Sequence, residues 1–536
     1  MLKKIVQILL AAILCFSSVS TGAEAKSVLY KDISSSYARD AIETLTQRGV
    51  LTGVGDGLFV PRKPLSRAEF TAMLMRVLNM DAVNNDISAF RDVSKSAWYY
   101  GWIHAAVNLS LVSGTGERVF EPNVFITRQE AAVMAARAMK LGNHAVQAGR
   151  TVYADESVIS SWAKSDVRLV SSAGWMKGDQ YGFRPLDFIT RQEAAALIDR
   201  ILNAGNVKRV VDTKAKTKGI RMGWLYNGTT SQYISYAQSA GLNTLVPRWY
   251  YVEKDGSVSD YTDQKLLNWS RQSGTAVWGM LGNRSDIDAT HSMLQSASAR
   301  RTVIQSVSDY VRIYKLDGIN IDFENVSGAD RQQLTLFVRD MAAELHRVGA
   351  VLSIDVSPDL QTDWTAAFDY KALGTYADYV VFMGYDQHWG GSPKAGSVSS
   401  LPWFTSAMDT MLTVVPSTKS IAAMPLYTRD WKLGSPPTSE DITLIEQGRR
   451  ATHYSTNLKW KPDIGQYTST YWLHGFAHRI WMEEARSLSR KHAAAAARNV
   501  AGTAYWYSGS ETPEVWRAVN NIQRYQHYHF IYAAVE

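Results

Sequence analysis

The 536-residue sequence contains a single cysteine, which excludes a disulfide framework and any thiolate zinc or iron–sulfur site. Beyond the first residues there is no run of about 18 uninterrupted apolar residues, so no permanent membrane span is expected. No phosphate loop or dinucleotide fingerprint occurs, and the chain gives no reason to expect a cofactor. His291, His346 and the histidines near the carboxy terminus lack metal-ligand spacing, so no metal is expected either. Charged residues make up 20% and apolar residues 46%, a balance that excludes intrinsic disorder. The net charge of +7 is mild and suits an anionic polymer as well as a nucleic acid. What the sequence has in quantity is aromatic: 17 Trp and 27 Tyr, whose rings stack on the C–H faces of sugars and equally fill cores.

Lys3 and Lys4 precede an apolar run from Ile5 to Phe16, then small residues and Ala23-Glu24-Ala25. This pattern predicts a signal peptide over residues 1–25, cleaved before Lys26. Cys15 lies inside it, behind Leu14 rather than the small residue a lipoprotein site requires. The protein is therefore expected to be secreted without cysteine. Retention at the cell surface has to come from a binding module.

Residues 28–80, 89–141 and 152–203 repeat one pattern. Asp32, Asp92 and Asp155 open the units, a helix follows, and Gly53, Gly114 and Gly178 stop it. Next come Phe59-Val60-Pro61, Phe120-Glu121-Pro122 and Phe183-Arg184-Pro185. Ser66, Thr127 and Thr190 then cap a second helix, with Glu69, Glu130 and Glu193 completing capping boxes. Arg67, Arg128 and Arg191 recur at about 60 residues, the period of a repeated supersecondary unit. A cation at the first helical position is unfavourable, so each arginine should meet an anion or a partner in the fold. Residues 204–219, short and basic, read as a linker; such a run could bind nucleic acid, but in an exported protein no nucleic-acid partner is expected.

From 220 to 536, apolar runs alternate with helical patterns, which predicts an α/β fold with parallel strands. The runs are Met222–Tyr226, Thr244–Trp249, Ala276–Leu281 and Gly318–Phe323, then Val351–Val356, Tyr379–Tyr385, Ile421–Leu426 and Thr503–Trp506. Eight of them fit a (β/α)8 TIM barrel. The long gap before the last predicts a small insertion subdomain with a strand at Ile480–Glu484. Preceded by three mainly α-helical repeats, this is the expected architecture.

The fourth run carries chemistry. A strand period of two puts Asn320, Asp322 and Glu324 on one face and Ile319, Ile321 and Phe323 on the other. The apolar face would pack on helices, so the polar face looks into the barrel, near the strand end where active sites of this fold sit. Two neighbouring carboxylates repel, so one tends to stay protonated and can act as a general acid. Oxygen ligands in this pattern equally suit a hard cation.

The segment Asp317-Gly318-Ile319-Asn320-Ile321-Asp322-Phe323-Glu324 resembles the D-G-x-[DN]-x-D-x-E motif of glycoside hydrolase family 18. Met383-Gly384-Tyr385-Asp386 is similar to the family's sixth-strand motif, and Trp506 falls on its eighth-strand tryptophan. The runs around Asn320, Tyr385 and Pro425-Leu426-Tyr427 look like the spore and cell-wall branch. The resemblance implies retaining hydrolysis assisted by the substrate. Glu324 would be the acid and then the base, and Asp322 and Tyr385 would act on the 2-acetamido group that serves as nucleophile. Asn320, Asp386, Met383 and Trp506 would bind substrate. Many family members have aspartate where this chain has Asn320, and an amide cannot share a proton. His388 and Trp389 follow the sixth strand and read either as cleft lining or as packing.

The amino-terminal units resemble S-layer homology repeats. That implies binding to an anionic secondary cell-wall polymer, with Arg67, Arg128 and Arg191 meeting the anion and Trp98 and Trp162 lining grooves. The first copy carries Tyr37 near the tryptophan position. The joint expectation is a wall-anchored β-N-acetylglucosaminidase acting on peptidoglycan. A surface-displayed chitinase and an inactive wall-binding lectin are the other readings of the same barrel.

Overall fold

In the computed structural model, residues 29–143, 153–213, 219–359, 363–454 and 456–532 are described. The expected signal peptide, with Cys15, lies outside them. The chain divides into two units, residues 1–63 with 190–196, and residues 64–189 with 197–536.

In the larger unit eight parallel strands close on themselves. They are β1 (Ile220–Leu225), β2 (Thr244–Pro247), β3 (Ala276–Gly282) and β4 (Gly318–Asp322), then β5 (Val351–Val356), β6 (Tyr379–Met383), β7 (Ser420–Pro425) and β8 (Gly502–Trp506). Pairing of β2 with β3 and of β1 with β8 completes the ring. The period of two sorts the side chains into two cores. Ile319, Ile321 and Phe323 join Leu352, Ile354 and Phe382 beneath the helices. Met222, Trp224, Trp278 and Met280 fill the interior. Gly384, just after β6, has no room for a side chain, since a Cβ would meet Phe404 at 2.5 Å and the Ala423 carbonyl at 2.6 Å.

The insertion between β7 and β8 is a five-stranded antiparallel sheet. Its order is Thr438–Thr443, Tyr427–Lys432, Phe476–Met482, Gln466–Leu473, Lys459–Lys461. The strand expected at Ile480–Glu484 is Phe476–Met482. It stops there because Glu484 caps the helix Ala485–Ala497, accepting from the Arg486 and Ser487 amides at 2.7 and 2.9 Å.

The repeats show why their motifs recur. Asp32, Asp92 and Asp155 each accept two backbone amides of the F-x-P segment in their own unit, at 2.7–2.9 Å. The middle residues, Val60, Glu121 and Arg184, are left-handed at φ 55°, 58° and 57°. The aspartates hold that uncommon turn in place. All three capping boxes form.

The arginines connect the copies. The Nε atoms of Arg67, Arg128 and Arg191 donate to the carbonyls of Phe120, Phe183 and Phe59 at 3.0, 2.9 and 2.7 Å. Each guanidinium lies over the same phenylalanine ring. The amides of Ala68, Gln129 and Gln192 donate to the carbonyls of Pro122, Pro185 and Pro61. The clamps thus run from first copy to second, second to third and third to first.

Part of the segment read as a linker is helical. Val207–Asp212 is a helix with Val207 and Val211 buried, because its three valines supply an apolar face within a basic run. Asn206 binds the backbone of His529 and Ile531. Within the larger unit the end of the first repeat, the segment after it and the second repeat also pack on the carboxy-terminal end of the chain. Asn521 exchanges two hydrogen bonds with the backbone of Asp81, and Tyr528 donates to the Leu78 carbonyl at 2.7 Å. Lys140 lies over the Tyr525 ring and donates to the carbonyls of Tyr525 and Tyr528. Burial lowers the Lys140 ammonium to about 8. Phe530, fully buried in this seam, is expected to cost about 3–5 kcal/mol when replaced by Ala. Urea unfolding of the full chain measures it.

Candidate active site

Strand β4 delivers its polar face to the barrel interior. Its register sets Asn320 opposite Ser353 on β5. The Asn320 amide donates to Ser353 Oγ at 3.0 Å and Asp355 Oδ1 at 2.8 Å, while its oxygen accepts from Trp224 Nε1 at 3.2 Å. A buried amide is tolerable because its hydrogen bonds are made. An aspartate here would place a further negative charge against Asp355, so the amide is the form that fits.

Asp355 was not anticipated, although Ser353 and Asp355 stand on the inward positions of an otherwise apolar strand. Its carboxyl is pushed far above the usual carboxylate range by burial and by the Asp322 charge, against the opposing hydrogen bond from Asn320. Asp322 is raised to about 7, first by burial and then by the Glu324 charge, while Arg248 opposes the shift. Asp322 and Asp355 therefore titrate together rather than independently.

Glu324 stands just past the strand end and is exposed. Asn283, after β3, grips its peptide from both sides. It accepts from the Glu324 amide at 3.0 Å and donates to the Glu324 carbonyl at 2.7 Å. Ser285 Oγ donates to Glu324 Oε2 at 2.8 Å. These positioning residues sit in a loop without a motif, and their role depends on contacts across 41 and 39 residues of chain.

Tyr385 follows β6, and its amide bonds to the Met383 carbonyl at 2.8 Å. Burial and the nearby Asp355 and Asp322 charges push its phenol well up, so it stays a hydrogen-bond donor. Asp386 accepts from Tyr427 at 2.6 Å and from Arg429 at 3.0 Å. Arg429 also pairs with Asp441 of the insertion. Met383 and Trp506 are partly buried at the strand ends. Trp506 contacts Trp224 and Tyr226, with ring centroids 6.0 and 5.7 Å apart. Asn320, Asp322, Glu324 and Tyr385 thus converge at the carboxy-terminal mouth of the barrel, where the fold places catalysis.

Other candidates fall elsewhere. His388 is held by the Ser397 carbonyl at 2.9 Å, whereas Trp389 is exposed. His291 and His346 pair with Asp330 and Asp378. Among the described residues no cluster of His, Cys, Asp or Glu could hold a metal ion. No helix among them is long and apolar enough to cross a membrane. In the repeats, Arg67, Arg128 and Arg191 are only 8%, 5% and 7% exposed, so none is an open cation. Trp98, Trp162 and Tyr37 are exposed.

A closed barrel with an exposed glutamate over a half-buried and a buried aspartate defines a glycosidase-like centre. The glycosyl hydrolases family 18 profile matches residues 174–511, and the chain belongs to that family. The match begins inside the third repeat, ahead of the first barrel strand at Ile220. The S-layer homology domain profile matches residues 29–71 and 89–132. The uncharacterized glycosylase YvbX of Bacillus subtilis is 25% identical over 324 residues, covering 57% of this chain and 92% of that protein. The cortical fragment-lytic enzyme of Bacillus anthracis is 26% identical over 282 residues, covering 50% of this chain and 65% of that enzyme. The fold matches that of a chitinase from Chromobacterium violaceum with a TM-score of 0.53. Identity there is 23%, and 57% of this chain and 98% of that one are covered.

The raised Asp322 has a measurable consequence. Between about pH 4 and pH 7 the folded state holds a proton that the unfolded chain has released, so stability falls as pH rises through this window. Asp322→Asn removes the penalty. Its melting temperature is expected to exceed that of the wild type at pH 8 and to lose that advantage below about pH 4, as thermal melts across pH will show.

Proposed function

We propose that this glycosidase is a wall-bound β-N-acetylglucosaminidase. It cleaves the β-1,4 bond after N-acetylglucosamine in peptidoglycan by substrate-assisted retaining hydrolysis. The observation that carries the reading is the stack of carboxylates on β4 and β5: exposed Glu324 above, half-buried Asp322 and buried Asp355 below. Glu324 protonates the glycosidic oxygen and afterwards takes a proton from water. Asp322, tied electrostatically to Asp355, orients the 2-acetamido group and stabilises the positive charge that develops on it. Tyr385 donates to the acetamido oxygen, and Trp506 lies under the sugar.

The repeats support a location at the cell wall. Tyr37, Trp98 and Trp162 are the open aromatic surfaces for a wall polymer, on a frame that Arg67, Arg128 and Arg191 hold together. The relative named for lysis of cortical fragments supports peptidoglycan as the substrate. The test is to incubate the full chain with peptidoglycan and with chitin oligomers and to identify the new reducing ends. N-acetylglucosamine ends from peptidoglycan support the proposal. Cleavage of chitin alone identifies a chitinase, and cleavage of neither identifies a wall-binding barrel.

A further inference from the structure

Two arginines at the barrel mouth are neutralised. Arg284 pairs with Glu253 at 3.0 Å, and Arg429 pairs with Asp386 and Asp441. Arg248, just past β2, is different. Its guanidinium is half-buried, 5.0 Å from the ring centre of Tyr226 and 5.9 Å from that of Tyr251. Among the described residues it forms no ion pair, and its buried Nε meets no acceptor. Tyr226 in turn touches Trp506, with ring centroids 5.7 Å apart, so the cation stands one aromatic ring away from that tryptophan. A planar guanidinium stacked on aromatic faces keeps its donors aligned for a carboxylate. A neutral glycan offers it only hydroxyl and amide oxygens, whereas charge-assisted bonds are roughly twice as strong.

We propose that Arg248 is a specificity-determining residue that receives the free lactyl carboxylate of an N-acetylmuramyl residue adjoining the N-acetylglucosamine over Trp506. The inference rests on the peptidoglycan reading above and narrows it. The lactyl carboxylate is free only where no peptide stem is attached, so an amide hydrolysis that removes the stem must come first. The preferred substrate is then a peptide-free glycan strand.

The test is a cycle with the full chain. Strands with free lactyl carboxylates and strands capped as neutral methylamides are given to the wild type, Arg248→Gln and Arg248→Lys, with chitin oligomers in parallel. The wild type is expected to favour the free strand by roughly tenfold in kcat/KM, about 1.4 kcal/mol. In Arg248→Gln that ratio falls to about one, whatever activity remains, and Arg248→Lys keeps part of it. An equal ratio in wild type and Arg248→Gln overturns the inference, because the arginine then acts only through Asp322. Wild type indifferent to the cap also overturns it, and leaves peptidoglycan as the substrate. Cleavage of chitin oligomers with neither muramyl strand cut overturns both readings.

Discussion

Glu324→Gln is expected to lower kcat/KM on glycan strands by about three to four orders of magnitude with the fold intact. The amide is the same size, and its oxygen can still accept the Ser285 hydroxyl that now bonds the carboxylate at 2.8 Å. The backbone grip of Asn283 does not involve the side chain at all. What disappears is the proton. No other residue in the site is placed to replace it: Asp322 and Asp355 lie deeper, and their protons serve the pair. Steady-state kinetics measures the loss, and an unchanged melting curve assigns it to chemistry. Retention of more than about a tenth of the activity would remove Glu324 from the acid role.

The barrel was legible because its local rules agree. On β4 the apolar and polar residues alternate without a fault, so both the strand and its inward face could be read from the chain. The end of the insertion's strand could not, because Glu483 and Glu484 look like strand continuation until their partners are known. Glu483 meets Lys491 at 2.5 Å in the buried core, and Glu484 caps a helix. The candidate site divides in the same way. The candidate residues on the motif-bearing strands stand out in the chain itself. Asn283, Ser285, Arg248 and Arg429 were not, since each gains its role from a neighbour far away in sequence. Asp355 lay between these cases, visible as a polar inward position but not singled out.

The arginines of the repeats show a different limit. Recurrence correctly implied a partner for a cation at a helix start, but spacing alone does not distinguish a ligand from the next copy of the fold. Burial does. The segment after the repeats shows the same effect, since its basic composition concealed the apolar face of Val207 and Val211. The docking of residues 78–81 and of Lys140 on the carboxy-terminal end of the chain alters the mechanical picture as well. The active site is presented by a shared, hydrogen-bonded seam rather than by tether length, so its orientation is set by packing.

Removing the N-acetyl group from the sugar over Trp506 is expected to abolish cleavage, by at least about a thousandfold, while binding of the strand persists. The reason is that the proposed nucleophile belongs to the substrate. Its oxygen, held against the anomeric carbon, acts at the high effective concentration of an intramolecular group. Tyr385→Phe is expected to give a partial form of the same defect, roughly a hundredfold in kcat with KM little changed, because its phenol supplies one hydrogen bond to that oxygen. The rival mechanism needs a protein carboxylate to attack. Asp322 is the candidate by position, yet its burial and its proton near neutral pH make it a poor nucleophile. The two mechanisms therefore part cleanly. A protein nucleophile would cleave fully de-N-acetylated strands at a rate comparable to acetylated ones, and Tyr385→Phe would not discriminate between them. Under substrate assistance the de-N-acetylated strand becomes an inhibitor instead, and reducing-end analysis with competition binding reads both outcomes in one preparation.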